Sequence, residues 1–90
     1  MEDDEIRIKI AGLKGLALES WEDWPGDIGA AWELVDEMIA NRKRPKIDRV
    51  AESEWRVSVD HNYCVVYDES PARAICLAYI AWKGETAERP

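Results

Sequence analysis

Ala74-Ile75-Cys76-Leu77-Ala78-Tyr79-Ile80-Ala81-Trp82 is the stretch on whose reading the fold turns. Taken with a period of two, Ile75, Leu77 and Tyr79 line one side, and Cys76, Ile80 and Trp82 the other. A strand apolar on both sides belongs inside a sheet. Just before it, Glu69-Ser70-Pro71 reads as a turn. Earlier still, Tyr63-Cys64-Val65-Val66-Tyr67 is rich in β-branched and aromatic residues, and Trp55-Arg56-Val57-Ser58-Val59 alternates apolar with polar. Asp60-His61-Asn62 supplies the turn between these two runs, with Asn62 suited to a left-handed backbone. Together the three runs make an antiparallel meander.

At the other end, Ile6-Arg7-Ile8-Lys9-Ile10 also alternates and predicts a half-buried strand, preceded by an acidic disordered tail at 1–5. Across 11–22, Leu13, Leu16, Ala17 and Trp21 share one helical face, although Gly12 and Gly15 weaken it. Trp24-Pro25-Gly26 breaks that helix and Asp27 is placed to cap a second one. Ile28, Ala31, Trp32, Val35 and Ile39 form the second helix's apolar stripe, widened by Leu34 and Met38, while Glu33, Asp36 and Glu37 face away. Arg42, Lys43 and Arg44 sit at the negative end of the helix dipole, and Pro45 stops the helix. Ile47 and Val50 fall in a link to the meander.

The predicted fold is therefore α+β, in the order β-α-α-β-β-β. Two antiparallel helices pack on one face of a small, mostly antiparallel four-stranded sheet, and the first strand pairs with the last. The domain is expected over 6–83, with a polar tail at 84–90.

Charge narrows the choice of function. The 90 residues carry a net charge of −7, and it is unevenly spread. Residues 1–41 hold 11 acids against 3 bases, a balance of −8; residues 42–90 hold 8 acids against 9 bases, a balance of +1. Phosphate contacts need clustered Lys and Arg. Direct nucleic-acid binding is thus confined to the cluster Arg42, Lys43, Arg44, Lys46 and Arg49. No apolar run reaches the roughly 20 residues that span a bilayer, and the acidic start is the wrong charge for a targeting peptide. A cytoplasmic location is expected, with Cys64 and Cys76 as buried thiols.

The residues give little sign of catalysis. No phosphate-binding, metalloprotease or nucleophile-elbow motif occurs, and one histidine with two separated cysteines makes no standard zinc site, so no metal and no cofactor are expected. His61 has the pKa range for acid–base work, but its Asp-His-Asn setting reads as a polar turn. Of the five tryptophans, Trp21, Trp32 and Trp55 are in phase with apolar stripes and read as core. Trp24, in a loop, and Trp82, near a strand end, are the candidate contact residues. Glu19, Glu22, Asp23, Asp27, Glu33, Asp36 and Glu37 form either a solvated helix surface or a negative face for a basic partner.

The run from Glu54 to Glu69, Glu-Trp-Arg-Val-Ser-Val-Asp-His-Asn-Tyr-Cys-Val-Val-Tyr-Asp-Glu, resembles the second and third strands of RelE/ParE-superfamily toxins. Ser20-Trp21-Glu22-Asp23-Trp24 and the helix ending Arg-Lys-Arg-Pro are similar to the YoeB-like branch. The resemblance implies a toxin of a bacterial toxin–antitoxin module. Such a protein is neutralised by a small antitoxin and directed at the ribosome, as an mRNA interferase, or at a gyrase-type target. Cys64 stands where the family's catalytic strand has an arginine, and Ala81 and Trp82 stand where the nucleases carry a His-Tyr pair. Arg56, Lys83 and His61 are the remaining catalytic candidates. The expectation is a RelE/ParE-like protein that acts by protein binding without nuclease activity. The alternatives are a ribosome-dependent interferase and an acidic, phage-type inhibitor of a nucleic-acid-processing machine.

Overall fold

The run 74–82 is helical. It lies within α3 (Pro71–Glu88), and Ser70-Pro71 starts that helix rather than forming a separate turn. Pro71 takes the first helical position, where a missing N–H costs nothing. Ser70 Oγ accepts the Arg73 N–H at 3.4 Å, and its carbonyl accepts the Ala74 N–H at 2.9 Å. Ala74, Ile75, Ala78, Tyr79 and Trp82 are buried at spacings of three and four. An apolar run with no polar face fits a buried helix as well as a central strand, so periodicity alone does not separate them. The alanines at 72, 74, 78 and 81 favour the helix.

The computed structural model describes residues 2–16, 22–60 and 64–88. Its first element is also a helix where a strand was expected: α1 (Asp3–Lys14). Ile6 and Ile10 are fully buried, whereas Ile8 between them is 55% exposed, so the operative period is four. Asp3, Asp4 and Glu5 are not a tail but the first turn, where acids suit the positive end of the dipole. Of the helix expected over 11–22, residues 11–14 are the end of α1, and 15, 16 and 22 are not helical. Gly15 terminates α1 at φ +69°, a left-handed cap that only glycine adopts without strain. Residues 17–21, including Trp21, lie outside the described residues, and 24–26 form a turn.

Next comes α2 (Ile28–Ala40), whose first turn is capped by Asp27 accepting the Gly29 N–H at 2.9 Å. The expected link after Pro45 is a strand, β1 (Pro45–Ala51). Proline cannot donate to a ladder, so it opens an edge strand. β2 (Glu54–Val59) and β3 (Cys64–Asp68) follow. The sheet has three strands in the order β1-β2-β3, both pairs antiparallel. It is not four-stranded, and the segments expected to pair as its first and last strands are α1 and α3, which pack on each other. The chain is α+β in the order α-α-β-β-β-α.

Register separates the two faces of the sheet. Val59 stands between Pro45 and Cys64, and Val57 between Ile47 and Val66. These side chains join one core with the helices: Ile6, Ile10, Leu34, Met38, Ile75 and Tyr79 are all fully buried in it. α3 packs on β2 and β3, and α2 packs on α3 and β1. The opposite face carries Lys46, Ser58 and Val65 in one row and Asp48, Arg56 and Tyr67 in the next. Among the described residues no helix is long and apolar enough to cross a membrane.

Three tryptophans reverse their expected places. Trp24 and Trp82, read as surface contacts, are buried; Trp82 meets the Tyr79 ring edge-on at 5.7 Å. Trp32, read as core, is 48% exposed. Trp55 is half-buried against the core.

Candidate docking surface on the second helix

Residues on a helix turn by about 100° each, so α2 presents distinct sides. Ala31, Leu34, Val35 and Met38 point into the core. Glu37 projects on one flank of that buried face. Contrary to expectation it does not face solvent: it is half-buried between α1 and α3. Tyr79 donates its hydroxyl to Glu37 Oε2 at 2.6 Å, Lys14 Nζ donates to Oε1 at 3.0 Å, and Lys83 Nζ lies 3.3 Å from Oε2. Lys14 also stands 5.6 Å from the centre of the Tyr79 ring, and Lys83 5.3 Å from that of Trp82. Burial pushes the Glu37 carboxyl up, but the hydrogen bonds from Tyr79 and Lys14, the Lys14 charge and the Lys83 bond outweigh it and hold the group below its usual value. The Tyr79 hydroxyl is driven well above its usual range by burial, then by the bond to Glu37 and its charge. This is a satisfied knot joining three helices.

The other flank of α2 is different. Ile28, Trp32 and Ile39 fall within about 40° of one another on the helix, and they are 49%, 48% and 58% exposed. Asp36 is exposed beside this row, and Glu33 lies further round the outer surface of α2, about 40° from Glu37, where Glu22 reaches it from the preceding loop; Asp27 is exposed at the helix start. A hydrogen bond with Glu33, partial desolvation and then the Glu33 charge hold the Glu22 carboxyl above its usual value; the Lys14 charge opposes them and Asp27 adds to them. The outer surface of α2 thus carries an exposed apolar row and, about 100° or more round the helix from it, a crowded pair of carboxylates.

The basic cluster does not converge. Lys43 Nζ lies 3.2 Å from Asp60 Oδ2, and the Arg44 N–H donates to Asp60 Oδ1 at 3.0 Å. Lys46 lies 3.8 Å from Asp48, and Arg49 donates to the carbonyls of Ala51 at 3.4 Å and Glu52 at 2.9 Å. Strand alternation also puts Lys46 and Arg49 on opposite faces of the sheet. Arg42 holds a left-handed φ of 62° just past the end of α2, where the Lys43 N–H reaches the Met38 carbonyl at 2.8 Å. These residues fasten the α2–β1 connection and the β1–β2 hairpin.

The catalytic candidates are not gathered either. Arg56 lies on the outer face of the sheet and Lys83 in the helix layer, on opposite sides of the core. His61 lies outside the described residues. Cys64 and Cys76 are buried, and burial pushes the Cys76 thiol up to about 12, so it is protonated at neutral pH. A shallow cleft of about 300 Å³ is lined by Ser53, Glu54, Tyr67, Asp68 and Glu69, but Asp68 is already engaged by Arg73 at 3.3 Å.

Sequence reasoning counted Trp32 as core, but a signal was present. The seven apolar residues of the helix cover an arc of about 160°, wider than the roughly 100° that one core contact requires. Comparison with protein families, curated proteins and solved structures gives no significant match to this chain.

Proposed function

We propose that this domain is a protein-docking module whose working surface is the outer flank of α2, and that its partner offers a basic, partly apolar segment. The carrying observation is the exposed row Ile28, Trp32 and Ile39 bordered by Asp36, on an outer helix surface that also carries Glu33 with Glu22 against it and starts at Asp27. Exposed tryptophan with apolar neighbours is what interface hot spots are made of. Crowded carboxylates select the partner's sign and accelerate encounter. A second copy would bring the acidic half against itself, because residues 1–41 carry −8, so this flank favours a different protein. Basic surfaces of that kind are found on proteins that handle nucleic acid. Of the readings open from sequence, the acidic inhibitor of such a machine therefore has the most support. The RelE/ParE resemblance called for strands at 6–10 and 74–82, which are helical, so it lends the proposal no architecture.

The test uses isotope-labelled protein titrated with a synthetic lysine- and leucine-rich amphipathic peptide. Chemical-shift changes are expected along residues 28–39, weakening as salt rises and lost in Trp32→Ala and in Glu33→Lys/Asp36→Lys. Shift changes located elsewhere, or binding indifferent to both variants, would sink the proposal.

A further inference from the structure

The two edges of the sheet are built differently. β1 carries the usual protections against stray pairing: it opens with Pro45, bears Lys46, Asp48 and Arg49, and has a register irregularity between Arg49 and Ala51. β3 reads Cys64-Val65-Val66-Tyr67 before its first charge at Asp68, pairs with β2 in unbroken register, and among the described residues has a strand on one side only. An apolar, uninterrupted edge is a template for another strand. On its outer face Val65 and Tyr67 are exposed.

We propose that β3 pairs antiparallel with β3 of a second copy, joining two three-stranded sheets into one of six strands. A two-fold register centred on Val66 sets Val65 of each copy beside Tyr67 of the other, and Val66 beside Val66 on the core-facing side. Aromatic and β-branched cross-strand pairs of this kind favour association. Charge allows it as well. The acids are concentrated in residues 1–41, whereas residues 42–90, which hold the whole sheet, carry +1. Asp68 beside the edge is neutralised by Arg73. The site is independent of the α2 flank.

Light scattering and sedimentation of the full chain, from micromolar to submillimolar concentration, test this pairing. The mass should rise from 10.3 kDa to twice that value, and the β3 amides should exchange more slowly in concentrated samples. Val65→Lys should weaken the dimer about tenfold or more by guarding the edge. Tyr67→Lys should do the same, and circular dichroism should confirm that both variants remain folded. Trp32→Ala should leave the dimer intact. A chain that stays at single mass throughout overturns the pairing. So does a dimer indifferent to both β3 variants, or one abolished by Trp32→Ala.

Discussion

The two flanks of α2 carry carboxylates in opposite circumstances. Glu37 is held by Tyr79, Lys14 and Lys83, and its ionised form is favoured. Glu22 and Glu33 crowd each other one turn away, toward solvent on the outer flank, and the ionised form of Glu22 is disfavoured. The first flank is already satisfied by the chain's own residues and holds the fold together. The second keeps a like-charge pair, which the Lys14 charge only partly offsets, and exposed apolar side chains, the combination on which the docking proposal rests.

The largest expected effect lies on the satisfied flank. Glu37→Ala strands the buried Tyr79 hydroxyl and leaves two ammonium groups without their shared acceptor. A destabilisation of about 2–3 kcal/mol is expected, kept to that range because the side chain is part-exposed and screened. In a domain of this size that lowers Tm by roughly 8–20 °C, measurable by calorimetry. The effect should depend on pH. Because the folded pKa of Glu37 lies below its ordinary carboxyl value, its contribution is fully present above that ordinary value and is lost as pH falls through the folded pKa. The wild-type and Glu37→Gln unfolding curves should therefore converge in acid. Curves that stay parallel would mean that this knot does not hold the helices together.

A smaller effect, of opposite sign, is expected where α2 ends. Arg42 sits at φ 62°, a conformation that costs a side-chain-bearing residue about 1–2 kcal/mol. Arg42→Gly should raise stability by about 1 kcal/mol, seen as a shifted denaturant midpoint at unchanged slope. The same variant should leave binding at the Trp32 flank intact. Lost binding would return the basic cluster to the functional site.

Much of the middle of the chain was legible. Asp27 reads as a cap and is one, and the alternation around Val57 and the β-branched run through Val66 are strands. The two ends were misread for a common physical reason. Ile6, Ile8 and Ile10 satisfy a period of two, yet Ile6 and Ile10 alone also satisfy a period of four, and only the burial of Ile8 separates the cases. The 74–82 run is apolar throughout, so its period carried no information; Ser70-Pro71 and the alanines did. The candidate site was legible in composition but not in position. The acids and tryptophans were in view, but which tryptophan stays outside depends on which side of each helix the tertiary packing turns to the core. Trp24 and Trp82 are turned inward and buried, and Trp32 is not.

The smallest changes in stability are expected on the crowded flank, and they decide its role. Trp32→Ala removes a side chain that is half in solvent, so a change within about 0.5–1 kcal/mol is expected; binding to a basic amphipathic peptide should nonetheless be lost. A large destabilisation would mark Trp32 as part of the core after all. Glu22→Gln should stabilise the chain at neutral pH by a few tenths of a kcal/mol, the scale of an exposed like-charge contact. The sign follows from the folded pKa lying above the ordinary carboxyl value of 4.5. The ionised group is a liability once pH rises through the folded pKa, and the liability disappears below 4.5, where the residue is protonated in both states. The benefit of Glu22→Gln should therefore fade in acid, at higher pH than the deficit of Glu37→Gln fades, and with opposite sign. Addition of the basic peptide at neutral pH should erase the Glu22→Gln advantage, because the peptide's charge relieves the repulsion that the substitution removes. An advantage that persists with peptide bound would show that the crowding is unrelated to any partner.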